Sequence, residues 1–314
     1  MTREIGRSAD IFSRWVVRAA QPLEARRTLV SIKDPKAITE AGTATGVKKA
    51  KLAPNKALVA GFLAGAYIGF GGLLAITVSS GLDPERWGTL PTLFTGAVFT
   101  VGLMLVVVAG SELLTGNMAL VPLALFRGKI KLKDLIGNFT WVLLGNLIGA
   151  LFVAYFLGVQ SGVLTAELPF ARLSGIAHAK GIEETEWQIF LRALGCNWLV
   201  CLAVWMALAA DDVAGKILAI FFPIMAFVAM GFDHVIANMF FLPAAMFAGV
   251  ADLTWWDVMH NWIFAFLGNL VGAAVFVAGS YYYLYGRDEG EAKPGDTPTN
   301  GRFGRAEARE RVAP

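Results

Sequence analysis

Long uncharged stretches alternate with short charged connectors along this chain. Residues 57–82, 87–111, 135–166, 193–210 and 261–286 contain no Asp, Glu, Lys or Arg. A helix that crosses a bilayer needs ~20 mostly apolar residues, so the pattern predicts a polytopic all-α membrane protein. Four segments have ordinary spanning length: Lys56 to Leu82, Leu135 to Val159, Trp187 to Ala210 and Trp255 to Gly286. Two are too long for one simple span. Trp87 to Phe126 is interrupted only by Glu112, and Ile217 to Ala251 only by Asp233 and His234.

Composition strengthens this reading, since 56% of residues are hydrophobic and 16% charged, against ~25% charged in soluble domains. Basic residues then set the topology, because Lys and Arg collect on the cytoplasmic side. Six crossings leave only Arg86, Arg172 and Lys180 in the opposite loops and put both termini in the cytoplasm of the cell. Eight crossings would export the cluster Arg127, Lys129, Lys131 and Lys133, so six are expected. The first 56 residues lack the apolar core of a signal peptide, and insertion through the first span is expected. Cys196 and Cys201 lie five apart in one apolar segment. That spacing fits packing rather than a disulfide or metal set, and neither a metal nor a cofactor is expected.

The two long segments repeat each other. Residues 110–126 read GSELLTGNMALVPLALF and residues 231–247 read GFDHVIANMFFLPAAMF. Both follow Gly, any residue, an acid, four of any kind, Asn-Met, three of any kind, Pro, any residue, Ala, any residue, Phe, at an offset of 121. GNLIGA at 145–150 recurs as GNLVGA at 268–273. Two spaced blocks in the same order indicate an internal duplication. Each copy holds three crossings, so the second enters the bilayer from the opposite face, an inverted three-plus-three repeat.

Gly and Pro cost a helix interior ~1 and ~3 kcal/mol, and a charge at mid-membrane costs ~2.5–3.5 kcal/mol. The duplicated segments are therefore expected to be two broken helices, tolerated only where protein or a cavity surrounds them. Asn117 and Asn238 are placed to cap the new half-helices. Helix N-termini carry partial positive charge, so two of them meeting from opposite faces would attract a small anion. Glu112 and Asp233 would repel that anion if they faced it, and are expected to accept hydrogen bonds from loop amides as scaffold. Thr115 either donates to the anion or caps the break. Lys180 would concentrate anions electrostatically, and Gly61, Gly65 and Gly69 form a strip for close helix contact.

GSELLTGNM, NWLVCLAVW at 197–205, GFDHVIANMF and the paired GNLxGA blocks resemble the formate/nitrite transporter family over about residues 57–286. The resemblance implies a homopentamer with a pore in each protomer and an aquaporin-like helix arrangement. It also implies passage of small monovalent anions such as formate, nitrite or hydrosulfide. His234 matches the family's central histidine, Asp233 its acidic neighbour, Thr115 its loop threonine and Asn197 an asparagine that orients histidine or substrate. Leu103 and Phe227 resemble its constriction on the cytoplasmic side, and Leu114 and Val200 the one opposite, with Leu113 beside the threonine. Lys180 fits its vestibule lysine.

Physically, an anion loses most of its hydration in an apolar ring, at a cost of several kcal/mol, which the neutral acid escapes. A titratable His234 midway through such a pore would share or relay a proton to a weak acid. The expected function is transport of such anions, formate first and nitrite or hydrosulfide next, across the plasma membrane, with protons and lipid as partners. An aquaporin-like pore for neutral solutes is the rival class, but neither loop holds Asn-Pro-Ala. An enzyme is not expected, nor a nucleic-acid partner. Residues 1–55 read as a basic cytoplasmic arm whose Ile11, Phe12, Trp15, Val16 and Ala19 form an amphipathic helix. Residues 56–286 form the channel domain, with repeats at about 56–160 and 186–286, and 287–314 read as a disordered cytoplasmic tail.

Overall fold

The structure, a computed structural model, describes residues 32–287. The amphipathic helix expected around Trp15, and the tail beyond 287, lie outside the described residues.

Local sequence signals set the helix ends. Proline, whose missing N–H costs nothing in a first turn, starts α1 (Pro35–Ala50) and α2 (Pro54–Ser79). After a single-turn helix, α3 (Pro84–Trp87), comes α4 (Leu90–Ala109). It ends where Gly110 takes φ 82°, a conformation that favours glycine. The chain then restarts as α5 (Leu114–Phe126). The first half closes with α6 (Leu132–Phe152), which continues in wider π geometry to Gln160.

The second half repeats this plan. Between the halves lies α7 (Glu167–His178), which the hydropathy pattern did not predict. Capping boxes from Thr185 with Gln188 and Thr254 with Asp257 open α8 (Glu186–Ala209) and α11 (Trp255–Ala273). Helix α11 continues to Gly286. Between these lie α9 (Val213–Ala229) and α10 (Val235–Ala248), separated by Gly231 at φ 72°.

Among the described residues, five helices are long and apolar enough to cross a membrane, while α5, α9 and α10 are shorter apolar helices. Both long segments of the sequence are thus broken, as expected, and the breaks precede Asn117 and Asn238. The breaks fall at 110–113 and 230–234, and Pro122 and Pro243 lie inside α5 and α10. Both of these helices are buried along most of their length.

Close packing holds the halves. A Cβ on Gly65 would stand 2.0 Å from Asn146 O, and one on Gly149 2.0 Å from Phe62 O, so α2 and α6 touch backbone to backbone. In the second half, a Cβ on Gly268 or Gly272 would meet the Phe190 or Leu194 carbonyl at 2.3 or 2.2 Å, between α11 and α8. The small-residue strips read from the sequence are these contacts.

Candidate functional site

The half-helices α5 and α10 present their N-termini to each other at the centre of the molecule. Thr115, in the first turn of α5, places its hydroxyl 2.8 Å from His234 Nε2. His234 is the N-cap of α10, and its Nδ1 accepts from the Ala237 amide at 3.1 Å. With Nδ1 an acceptor, the ring proton sits on Nε2 and points to the Thr115 oxygen. Both side chains are buried. Capping is therefore done by the histidine, whereas Leu113, at the matching position of α5, has no side chain with which to cap.

Asn117 and Asn238, expected as caps, sit one turn further in and do something else. Asn117 Nδ2 donates to Glu112 at 2.9 Å and to Asn138 at 3.0 Å, and Asn138 Nδ2 donates to Lys49 O at 2.9 Å. Lys49 Nζ closes the loop on Glu112 at 3.0 Å. The second repeat reproduces each link. Asn238 donates to Asp233 at 2.7 Å and to Asn261 at 2.8 Å, Asn261 donates to Lys180 O at 3.0 Å, and Lys180 Nζ meets Asp233 at 2.9 Å. Glu112 and Asp233 were expected to accept from loop amides; their carboxylates are instead held by lysine and asparagine side chains. Ion pairing satisfies a charge that burial alone would make costly.

A second duplicated pair fixes the breaks. Asn146 Oδ1 accepts from the Leu114 amide at 2.9 Å, and its Nδ2 donates to Gly61 O and Glu112 O, each at 2.8 Å. Asn269 does the same for Val235 N at 2.9 Å, Ala193 O at 2.8 Å and Asp233 O at 2.9 Å. Each asparagine thus satisfies two backbone groups that the break exposes and ties them to a carbonyl of the neighbouring span, Gly61 O in α2 or Ala193 O in α8.

The repeats differ at the centre. Gly65 lies against Asn146 O in the first half, but in the second Asn197 donates to Asn269 O at 2.8 Å and to Thr115 O at 3.2 Å. The Cys201 thiol also donates to Thr115 O, at 3.3 Å. Asn197 therefore positions the threonine and does not touch the imidazole or an open cavity, a correction to its expected role. The cysteines are buried and free.

Two cavities flank this centre. One, of about 280 Å³, is lined by Lys180, Glu184, Arg172, Arg192, Phe227 and His234. The other, of about 560 Å³, is lined by Lys48, Lys49, Leu103, Glu112, Leu113 and Lys216. Between them lies an apolar pocket of about 10 Å³, walled by Phe99, Leu103, Leu113, Val200, Phe227 and His234. That volume is at the threshold for one water. Leu103 and Phe227 wall this small pocket together, and beyond it Leu103 also lines the Lys49 cavity and Phe227 the Lys180 cavity. Phe99 joins Phe227 with ring centres 6.0 Å apart at 83°. Leu114 lines none of the three spaces; it is fully buried and its amide serves Asn146. Lys180 lines its cavity as half of an ion pair with Asp233.

Lys49, Arg192, Glu184 and the four tethering asparagines escaped the sequence reading. Asn138 and Asn261 each stand seven residues before the duplicated Gly-Asn, so the longer repeat was present to be found. Arg172 bonds Ser79 Oγ at 3.0 Å and Thr95 Oγ1 at 3.3 Å, and burial lowers its pKa from the ordinary value.

A family model described as formate/nitrite transporter matches residues 36–283. The chain is 50% identical over 265 residues to an uncharacterized transporter, YrhG, of Bacillus subtilis, covering 84% of this chain and 98% of that one. It is 48% identical over 270 residues to a probable formate transporter of Methanothermobacter thermautotrophicus, covering 81% and 98%. A solved pentameric formate channel with formate bound superposes with a TM-score of 0.66 at 30% identity, covering 74% of this chain and 98% of that one. With an all-helical fold, two broken helices and matches of this extent, this chain is a multi-pass membrane protein of the formate/nitrite transporter family, a family of anion transporters and channels.

Proposed function

We propose that this protein conducts formate across the plasma membrane, in a homopentamer whose protomers each hold a pore formed by residues 56–286 together with the end of α1 that bears Lys49, with the Lys49 cavity and both termini cytoplasmic. The basic loop Arg127 to Lys133 follows α5 on the Lys49 side, which supports that orientation. The probable formate transporter and the pentameric formate channel support the substrate and the assembly.

The observation that carries this reading is the 2.8 Å contact between Thr115 and His234, where two half-helix N-termini meet between lysine-bearing cavities. Hydrogen bonds there run in one direction: Ala237 N–H to Nδ1, then Nε2–H to the Thr115 oxygen. The Thr115 O–H is left to donate to a carboxylate oxygen. Lysines and helix ends draw the anion in; the apolar pocket then strips its water and favours the neutral acid. To share a proton with the passing weak acid, the imidazole takes one from the medium at Nδ1, releasing the Ala237 amide. It passes its Nε2 proton to the Thr115 oxygen as the Thr115 hydroxyl proton moves to the carboxylate.

The test is anion uptake by proteoliposomes holding the purified protein, with formate, nitrite, hydrosulfide, acetate and lactate compared side by side. Formate is expected to be fastest, with uptake rising as pH falls, and His234→Phe is expected to flatten that pH response in folded protein. Faster nitrite than formate would replace the substrate; an unchanged pH response in His234→Phe would remove the histidine's role.

A further inference from the structure

The Lys180 cavity contains an acid that its counterpart lacks. Glu184 stands in the connector before α8, its side chain 5% exposed, and pairs through Oε1 with Arg192 Nη1. Its Oε2 is buried with no hydrogen-bond donor. Asp233 is in the same position: Oδ1 accepts from Lys180 and Asn238, while Oδ2 is buried without a donor. The two carboxyl groups stand within hydrogen-bonding reach of each other. Two acceptor-only oxygens so placed repel, and each is an orphan. One proton between them repairs both faults.

We propose that Glu184 and Asp233 hold one shared proton, and that this proton sets the charge of the Lys180 mouth of the pore. With every group ionised, Lys180 and Arg192 cancel the two carboxylates; with the shared proton the cluster carries one net positive charge. Across the cavity the facing ionisable groups are Arg172 and His234, so no further carboxylate lines that space. Burial first, and then its hydrogen bond to Asp233, raise the Glu184 pKa from 4.5 to about 7, against the pull of Lys180 and Arg192. The mouth therefore attracts anions while the medium on its side is acidic and loses that charge as it turns alkaline.

The repeat shows that this device is one-sided. Lys49 and Lys180 correspond at an offset of 131, and Gly61 and Ala193 at 132. The counterparts of Glu184 are thus Leu52 or Ala53, and neither can hold a proton. The Lys49 cavity keeps its lysine and Glu112 but has no second acid on that connector.

The flux consequence rests on the pore reading above, whereas the proton site does not, so the experiment reads them separately. Infrared difference spectra of the full-length protein in detergent are compared with those of Glu184→Gln, as pH is taken from well below to well above 7. A protonated-carboxyl band that fades through this range and is missing in Glu184→Gln is expected. The same band in Glu184→Gln, or its absence from the wild type at low pH, overturns the shared proton. Formate uptake by proteoliposomes, with pH varied on one side at a time, is then expected to fall several-fold as pH rises on one face only, and Glu184→Gln is expected to remove that step. An equal step in Glu184→Gln overturns the charge-setting role. A titrating band in protein that moves no anion upholds the proton site and overturns the pore.

Discussion

Thr115 and His234 are ordinary residues made special by where their hydrogen bonds lead. Replacing Thr115 with Val leaves His234 Nε2 buried and unpaired, an effect of ~1–3 kcal/mol on stability. We expect Thr115→Val to lower both the unfolding temperature in detergent and formate uptake, and Thr115→Ser to restore uptake. Lys180 is the second test at this scale. Its removal strands the fully buried Asp233 as a lone charge, worth ~3–5 kcal/mol where a buried pair is broken. Lys180→Ala is therefore expected to unfold at much lower temperature, and adding Asp233→Asn to recover part of the loss. Glu112, Asp233 and His234 were legible in the sequence because an ionisable group inside an apolar run stands out, whereas Thr115 and Lys180 were singled out by the family resemblance. The role of Asn117 was not legible. A cap and a side-chain tether need the same residue type, and only the path of the backbone distinguishes them.

The helices cohere through close backbone approach rather than through bulky side chains, as expected where lipid offers no hydrophobic drive for association. A methyl group on Gly149 would overlap the Phe62 carbonyl, so α2 and α6 would have to part. Overpacking of this kind costs ~1–3 kcal/mol. Thermal unfolding in detergent is expected to show Gly149→Ala clearly destabilised and Gly137→Ala, where a Cβ meets nothing within 4 Å, unchanged or slightly improved. The element boundaries were readable wherever a full-length apolar run ended in Pro, Thr or Asp. The breaks fall where the sequence places them, ahead of Asn117 and Asn238 in the two long segments. Local propensity marks a weak point, while the site of rupture is fixed by Asn146 and Asn269 reaching in from α6 and α11 to take the exposed backbone groups.

For the whole molecule, inverted duplication supplies two lysine cavities, and a few substitutions make them unequal: Gly65 against Asn197, Leu113 against His234, Leu52 or Ala53 against Glu184. The last has a consequence for stability. Glu184 binds its proton more tightly in the folded state, up to about 7, than at the ordinary value of 4.5. Between these limits the native protein holds the extra proton, so the contribution of Glu184 to stability falls as pH rises from 4.5 to about 7 and is constant outside that window. Unfolding temperatures measured across this range are expected to slope downward in the wild type and to slope less in Glu184→Gln.

The sequence by itself determined the membrane class, the duplication, its inverted sense and, through its motifs, the family. Each depends on spacing along the chain or on how rarely charge enters an apolar run. Tertiary structure alone decided that Leu103 and Phe227 face opposite cavities, that Asn197 acts through Thr115, and that Glu184 lies beside Asp233. Those pairings join residues far apart in the chain. Hydropathy carries no record of which partner a buried polar atom will meet, since any donor within reach would satisfy it.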